Sequence, residues 1–216
     1  MSPMPPRSPL KLRSVFISDV HLGFKGCRAG YLLDFLRQVE CEQLYLVGDI
    51  IDLWSLDRTF HWPQQPNDVI RTLLGKAKHG TRVVYIPGNH DRVFRDYDGW
   101  ILGNVQVRVE AIHETADGRR LLVLHGDEFD SVIRASPLLE SVGNRAYAFV
   151  LRLNRHVNNV RARLGYPHCN DGDWVENCTA LVEDAEGRIS LLRWTEEVSV
   201  LTGAMPPLSV ALEQAA

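Results

Sequence analysis

The apolar residues of this chain gather in short runs, each broken by glycine, proline or acidic residues, and the runs follow two different periods. Residues 14–18 (Ser-Val-Phe-Ile-Ser) form a short apolar run ending at Asp19, as a buried strand would. Residues 29–39 then space Tyr31, Leu32, Phe35, Leu36 and Val39 along one face of a helix. A second buried strand is predicted over 44–47, ending at Gly48-Asp49, and a helix over 68–78 leads to a third strand, 82–86, ending at Pro87-Gly88-Asn89. Strand and helix in alternation predict an α/β fold with an initial parallel set.

The second half changes character. Short strands are predicted over 105–109, 111–115 and 120–124, with Asp117-Gly118 as a hairpin turn and His125-Gly126-Asp127 closing the last. An arginine-rich helical pattern fills 137–164, and 178–182 pairs with 189–194 around Glu186-Gly187. No internal repeat or linker divides the chain. The expected organisation is a tail over 1–13, one domain over 14–200 with a helical, lid-like segment at 131–166, and a C-terminal tail over 201–216.

Composition adds limits rather than detail. At 216 residues, 45% hydrophobic and 24% charged, the chain suits a soluble globular protein with one sizeable core. A formal charge of −3 gives no basic field, so nucleic acid is not an expected partner. Cys27, Cys41, Cys169 and Cys178 form no C-x-x-C pair and read as incidental thiols in a reducing compartment. No apolar stretch of about 18 residues occurs and the N-terminus lacks a signal-peptide core, so a cytoplasmic location is expected. Peripheral contact with the inner membrane stays open, as does oligomeric state.

Chemistry enters at the strand ends. Asp19-Val20-His21, Gly48-Asp49-Ile50-Ile51-Asp52, Gly88-Asn89-His90-Asp91 and His125-Gly126-Asp127 each follow directly on an apolar run. In an α/β sheet that edge is where distant clusters meet and ligands bind. Each cluster alone reads more simply as a turn, because glycine, asparagine and aspartate suit tight turns. Four in succession are another matter. Carboxylate, imidazole and amide oxygen without thiolate suit a pair of Mn, Fe, Zn or Mg ions better than a structural zinc. Two such ions need one bridging carboxylate, for which Asp49 is the natural candidate, and paired ions lower the pKa of bound water toward neutrality.

These blocks resemble the calcineurin-like metallophosphoesterases, with their D-x-H, G-D-x-x-D, G-N-H-D and H-G-D motifs. The resemblance implies an α/β sandwich of two mixed β-sheets flanked by helices, with a helical excursion after Asp130. It implies that Asp19, His21 and Asp49 hold the first ion, and Asp49, Asn89 and His125 the second. His90 would sit over the phosphate and assist the leaving oxygen. Asp52, Asp91 and Asp127 would orient ligands and turns. Mn2+ is the expected metal, with Mg2+, Fe2+ and Zn2+ as alternatives.

Within that superfamily the chain is most similar to the UDP-2,3-diacylglucosamine diphosphatases of lipid A biosynthesis. Ser18-Asp19-Val20-His21-Leu22-Gly23, Gly48 to Trp54, Leu124 to Asp130 and Cys169 to Glu176 carry that likeness, which spans about 15–196. It implies hydrolysis of a lipid nucleotide to a lipid monophosphate and UMP, with Arg145, Arg152 and Arg155 on the helical segment as candidate phosphate contacts. A solvated basic helix face is the simpler reading of those arginines. His90 departs from the best-studied members, which carry arginine there, and this favours a broader phosphodiesterase or phosphatase. The late Gly-His-x-His block of the superfamily is missing, and the chain looks shortened at 167–168, where His168 is an alternative ligand or simply a turn histidine. That departure leaves a degenerate, non-catalytic binding protein as a further alternative.

Overall fold

The computed structural model describes residues 9–127 and 172–194. It divides into two compact units, Met1–His125 with Asp171–Ala216, and Gly126–Asn170. All that follows concerns the first. The lid-like segment expected over 131–166, the helical pattern at 137–164 with Arg145, Arg152 and Arg155, and His168 lie outside the described residues. Of the second unit only Gly126 and Asp127 are described.

A mixed sheet of seven strands forms the body of this unit. Its strands are β1 (Leu10–Ile17), β2 (Val39–Val47), β3 (Arg82–Ile86), β4 (Ile101–Leu102), β5 (Val105–Val107), β8 (Thr179–Glu183) and β9 (Ile189–Arg193), in the order β4-β5-β3-β2-β1-β8-β9. The parallel set is β1, β2, β3 and β5, while β4, β8 and β9 pair antiparallel. A second, smaller sheet is the antiparallel hairpin β6 (Ala111–Glu114) and β7 (Arg120–Val123). The expected α/β architecture with two sheets is therefore present, although the second sheet, among the described residues, is antiparallel rather than mixed.

Both faces of the central strands are covered, which explains why their sequences are apolar without alternation. Val15, Ile17, Leu44, Leu46, Val83 and Tyr85 share one buried cluster with Leu32, Phe35 and Leu36 of α1 (Ala29–Gln38) and Val69, Leu73 and Ala77 of α3 (Gln64–Lys78). The alternate residues Phe16, Tyr45, Val47, Val84 and Ile86 point the other way and pack with Val123 of the hairpin. Each fully buried side chain of this kind contributes about 1.5–3 kcal/mol relative to exposure.

Predicted boundaries held best where burial is complete. β3 runs over Arg82–Ile86 as predicted, and α1 ends one residue early. β1 begins at Leu10, inside the segment expected as a tail, because Leu10, Lys11 and Leu12 pair with Val39, Glu40 and Cys41. That same pairing turns Val39 into the first residue of β2, at φ −111° and ψ 131°. Helix α3 starts four residues before the predicted 68, since Pro66 falls in its first turn, where proline costs nothing. The short helix α2 (Leu53–Arg58), a 3₁₀ helix at Arg92–Tyr97 and the two-residue β4 carry too little apolar periodicity to be read from sequence.

A buried polar cluster ties the hairpin to the large sheet. Glu183 accepts from Arg13 Nη1 at 2.9 and 3.1 Å and from the Ala116 backbone N–H at 2.8 Å, and it meets His113 Nε2 at 2.9 Å. Both His113 and Glu183 are fully buried. Burial pushes the pKa of His113 below its usual value, outweighing the Glu183 carboxylate beside it. The unfolded chain therefore takes up a proton at this ring at a higher pH than the folded chain does. Stability from this group is complete above about pH 6.5, the ordinary histidine value, and is lost as the pH falls toward the folded value. Urea unfolding between pH 8 and pH 5 should show a steeper acid loss in the wild type than in His113→Gln; equal slopes would remove His113 as the cause. No helix of the described residues is long and apolar enough to cross a membrane.

Candidate metal centre

Three of the four polar clusters leave the same edge of the large sheet, at the carboxyl ends of β1, β2 and β3. Backbone hydrogen bonds carry the pairing past the strand ends: Asp19 N–H donates to Gly48 O at 3.1 Å, His21 N–H to Asp49 O at 2.8 Å and Leu22 N–H to Ile50 O at 2.9 Å. The two loops are thus zipped in register, which sets Asp19 and His21 beside Asp49 and Asp52. Asp19, His21 and Asp49 take φ values of 51°, 54° and 53°, the left-handed region that non-glycine residues rarely enter. Such strain persists only where neighbouring contacts over-determine the backbone, and it gathers at functional sites.

Asp91 locks the next loop to these two. Its buried carboxylate accepts from Ile50 N–H at 2.8 Å, Ile51 N–H at 3.2 Å, Gly88 N–H at 2.7 Å and the Tyr85 hydroxyl at 2.5 Å. Burial and the adjacent Asp91 carboxylate raise the Tyr85 pKa far above its normal value, so the phenol remains a donor. The His90 backbone N–H in turn donates to Asp49 Oδ1 at 2.8 Å. Asn89, half-buried between Gly88 and His90, rides on the same turn.

The fourth cluster arrives from the small sheet. His125 follows β7, and its Nδ1 lies 3.2 Å from Val47 O, leaving Nε2 3.6 Å from Asp49 Oδ2. A Cβ on Gly48 would overlap the His125 ring, and one on Gly88 would overlap the Asp49 carboxylate. Gly48 also sits at φ 77°. Glycine at both positions is what lets the imidazole and carboxylate approach. Gly48→Ala should displace His125 and add left-handed strain of about 1–2 kcal/mol. Isothermal titration with Mn2+ checks this: affinity should fall at least about 10-fold, and an unchanged value would show that the ring finds room.

Two groups of ligand atoms share Asp49. Asp19, Asp49 and His125 bring one atom each within 4.8 Å of one another, and so do His21, Asp49 and His90. The expected sets placed His21 with Asp19 and Asp49, placed Asn89 and His125 with Asp49, and left His90 over the phosphate. His21 Nε2 lies 3.8 Å from Asp19 Oδ1 and 3.9 Å from Asp49 Oδ2, so it borders both groups. Asp52 stands behind: it caps α2 through Ser55 N–H at 2.8 Å and faces His90 Nδ1 at 2.9 Å and His21 Nδ1 at 3.3 Å. Trp54, half-exposed on α2, packs tilted against His90 with ring centroids 4.1 Å apart and 31° between the planes. Sequence reasoning passed over Trp54 as a site residue. An aromatic two positions beyond the Asp52 cap was the available signal. Asp127 belongs to the second unit.

The electrostatics suit a cation. Burial would raise the Asp49 pKa, but the contact with His125, the His90 N–H and the charges of both rings hold it below the usual carboxylate range. Asp52 is likewise brought down to about 2, since donors from His90 and Ser55 outweigh its desolvation. Burial would lower the His21 pKa, yet Asp19 and the charges of Asp49 and Asp52 raise it. Carboxylates with imidazoles as their neighbours, and no thiol in either group, fit the borderline divalent ions expected. Burial pushes the Cys27 and Cys41 thiols up to about 11, so neither is a thiolate at neutral pH.

Residues 12–177 match the calcineurin-like phosphoesterase family. The chain belongs to that family, whose members are metal-dependent phosphoester hydrolases. A search among curated proteins finds no match. Among solved structures, the crystal structure of Pseudomonas putida nuclease MPE is similar at 25% identity and a TM-score of 0.27. The alignment covers 44% of this chain and 46% of that one, so it spans less than half of the nuclease's length.

Proposed function

We propose that this chain is a two-metal phosphoesterase that cleaves the diphosphate of UDP-2,3-diacylglucosamine to a lipid monophosphate and UMP. The observation that carries the hydrolase part is the shared Asp49 carboxylate, whose Oδ2 faces the Nε2 atoms of His21, His90 and His125 at 3.9, 4.0 and 3.6 Å. Bound there, paired divalent ions would supply an activated water at neutral pH and offset charge developing on phosphorus. Asp19, His21, Asp49, Asn89 and His125 would hold them, with Asp52 and Asp91 fixing the rings and loops behind. The lipid-nucleotide substrate rests on the sequence blocks alone. On those blocks Arg145, Arg152 and Arg155 are candidate phosphate contacts, and contact with the inner membrane surface would follow from the acyl chains of such a substrate.

One observation favours a broader phosphodiesterase. His90 and the half-exposed Trp54 pack ring against ring beside Asp49, a surface on which an aromatic substituent of a phosphate ester would rest without any need for a lipid. Rates with UDP-2,3-diacylglucosamine and with bis-p-nitrophenyl phosphate, measured with Mn2+, separate the two readings. A preference of at least about 100-fold for the lipid nucleotide, about 2.7 kcal/mol in transition-state terms, supports the first. Comparable rates support the second. A protein that hydrolyses neither and binds no metal would be a degenerate binding protein.

A further inference from the structure

We infer that β4 is an interaction surface for a second copy of this chain, the two copies pairing antiparallel about a two-fold axis at Ile101.

The large sheet ends on one side at β4, beyond which no described strand pairs. Ile101 stands opposite Gln106 of β5 and Leu102 opposite Val105. Gly103 and Asn104, at φ 56° and 69°, form the two-residue turn between the strands. Val107 N–H donates to Trp100 O at 2.9 Å, so the Trp100 carbonyl turns inward, toward β5. Backbone groups alternate in direction from residue to residue along such a pair. The N–H and C=O of Ile101 therefore both point off the sheet, and neither finds a partner among the described residues. Free edges are ordinarily blunted by charge or proline. β9, the opposite edge, follows Arg188 and ends at Arg193. β4 has no such guard: Trp100, Ile101 and Leu102 are 57, 67 and 45% exposed.

Area and self-complementarity name the occupant. Tyr97, whose ring meets that of Trp100 at 5.3 Å, and Leu74, packed beside Gly103, extend the exposed apolar surface. These five side chains leave about 400 Å² of apolar surface in water, a size at which a monomer's patch is often functional. A standard interface takes about 800 Å² from each partner, so the patch would form its apolar centre within a polar rim. A two-fold axis at Ile101 sets the two copies of that residue opposite each other as a hydrogen-bonded pair, which exchanges both N–H···O bonds. Trp100 then faces the partner's Leu102, and Leu102 the partner's Trp100, an apolar pairing on both sides. The sheet runs on from one copy into the next, and the free edge is closed. A lipid surface fits less well. Residues 92–98 hold two arginines and two aspartates, which cancel and offer anionic headgroups no net positive field.

Sedimentation velocity of the full chain at concentrations up to about 100 μM, enough to populate a micromolar dimer, tests this. A species of twice the 24.5 kDa chain mass should appear and give way to monomer on dilution. Ile101→Lys puts a charge on the edge at an exposed position. It should leave urea stability unchanged and raise the dimer Kd by at least about 100-fold. Hydrogen exchange of the wild type needs no variant: the Ile101 amide should exchange more slowly as protein concentration rises. A chain that stays monomeric throughout, or a dimer that Ile101→Lys leaves intact, would overturn the inference. So would an Ile101 amide protected equally at every concentration, which would assign the edge to a segment of the same chain. A monomeric wild type that sediments with phosphatidylglycerol vesicles, when Ile101→Lys does not, would assign it to lipid instead.

Discussion

Asp49→Asn is expected to abolish hydrolysis, with kcat/KM on a phosphodiester falling at least about 1,000-fold, or about 4 kcal/mol, while the metal-free protein keeps its stability. The two effects separate because the two oxygens do different work. Oδ1 accepts the His90 backbone N–H at 2.8 Å, and asparagine keeps that acceptor. Oδ2 faces the Nε2 atoms of His21, His90 and His125, and replacing it by an amide nitrogen removes the anion both ligand groups share. A ligand that binds only the folded chain stabilises it by about 2.7 kcal/mol at 100 times its dissociation constant. Wild type heated with excess Mn2+ should melt correspondingly higher, and Asp49→Asn should show almost none of that gain. An equal gain in both proteins would show that the ions sit elsewhere.

Asp91→Ala is expected to cost the fold itself at least about 4 kcal/mol, among the largest losses a single substitution causes. Ile50, Ile51 and Gly88 each lose the acceptor for a backbone N–H, and the Tyr85 hydroxyl loses its partner. Hydrogen bonds to a charged group contribute about 1.5–3 kcal/mol each, and orphaned buried donors cost about 1–3 kcal/mol. Water entering the cavity recovers part of this, which is why the figure is not their sum. Urea unfolding of metal-free protein measures it. A loss below about 1 kcal/mol would mean the loops hold their shape without the clamp.

These two aspartates show what sequence could and could not convey. Asp49 stands in both groups of close-set polar atoms; its place at the strand end was legible because it ends a buried apolar run beside a glycine, and the parallel set of β1, β2 and β3 follows from alternation alone. Together these features place three clusters on one edge. Which side chains face one another across the site was not legible. It depends on which way His21 and His90 turn, and Asp52 decides that through contacts spanning 31 and 38 residues. Tyr85 illustrates the same limit: it sits in a run that burial alone explains, and its hydroxyl matters only once Asp91 folds under it. The early start of β1 escaped notice because Lys11 and Arg13 interrupt the apolar run, although Leu10 and Leu12 alternate with them as an edge-to-core strand should.

The β6–β7 hairpin forms no strand pairing with the main sheet among the described residues, and side chains alone moor it there. Elements attached in that manner open at lower free energy than the sheet around them. His125 travels with this hairpin, whereas His21 and His90 sit on loops zipped into the seven-stranded body. Any cation held beside His125 should therefore exchange with solution before one held by the loop residues alone.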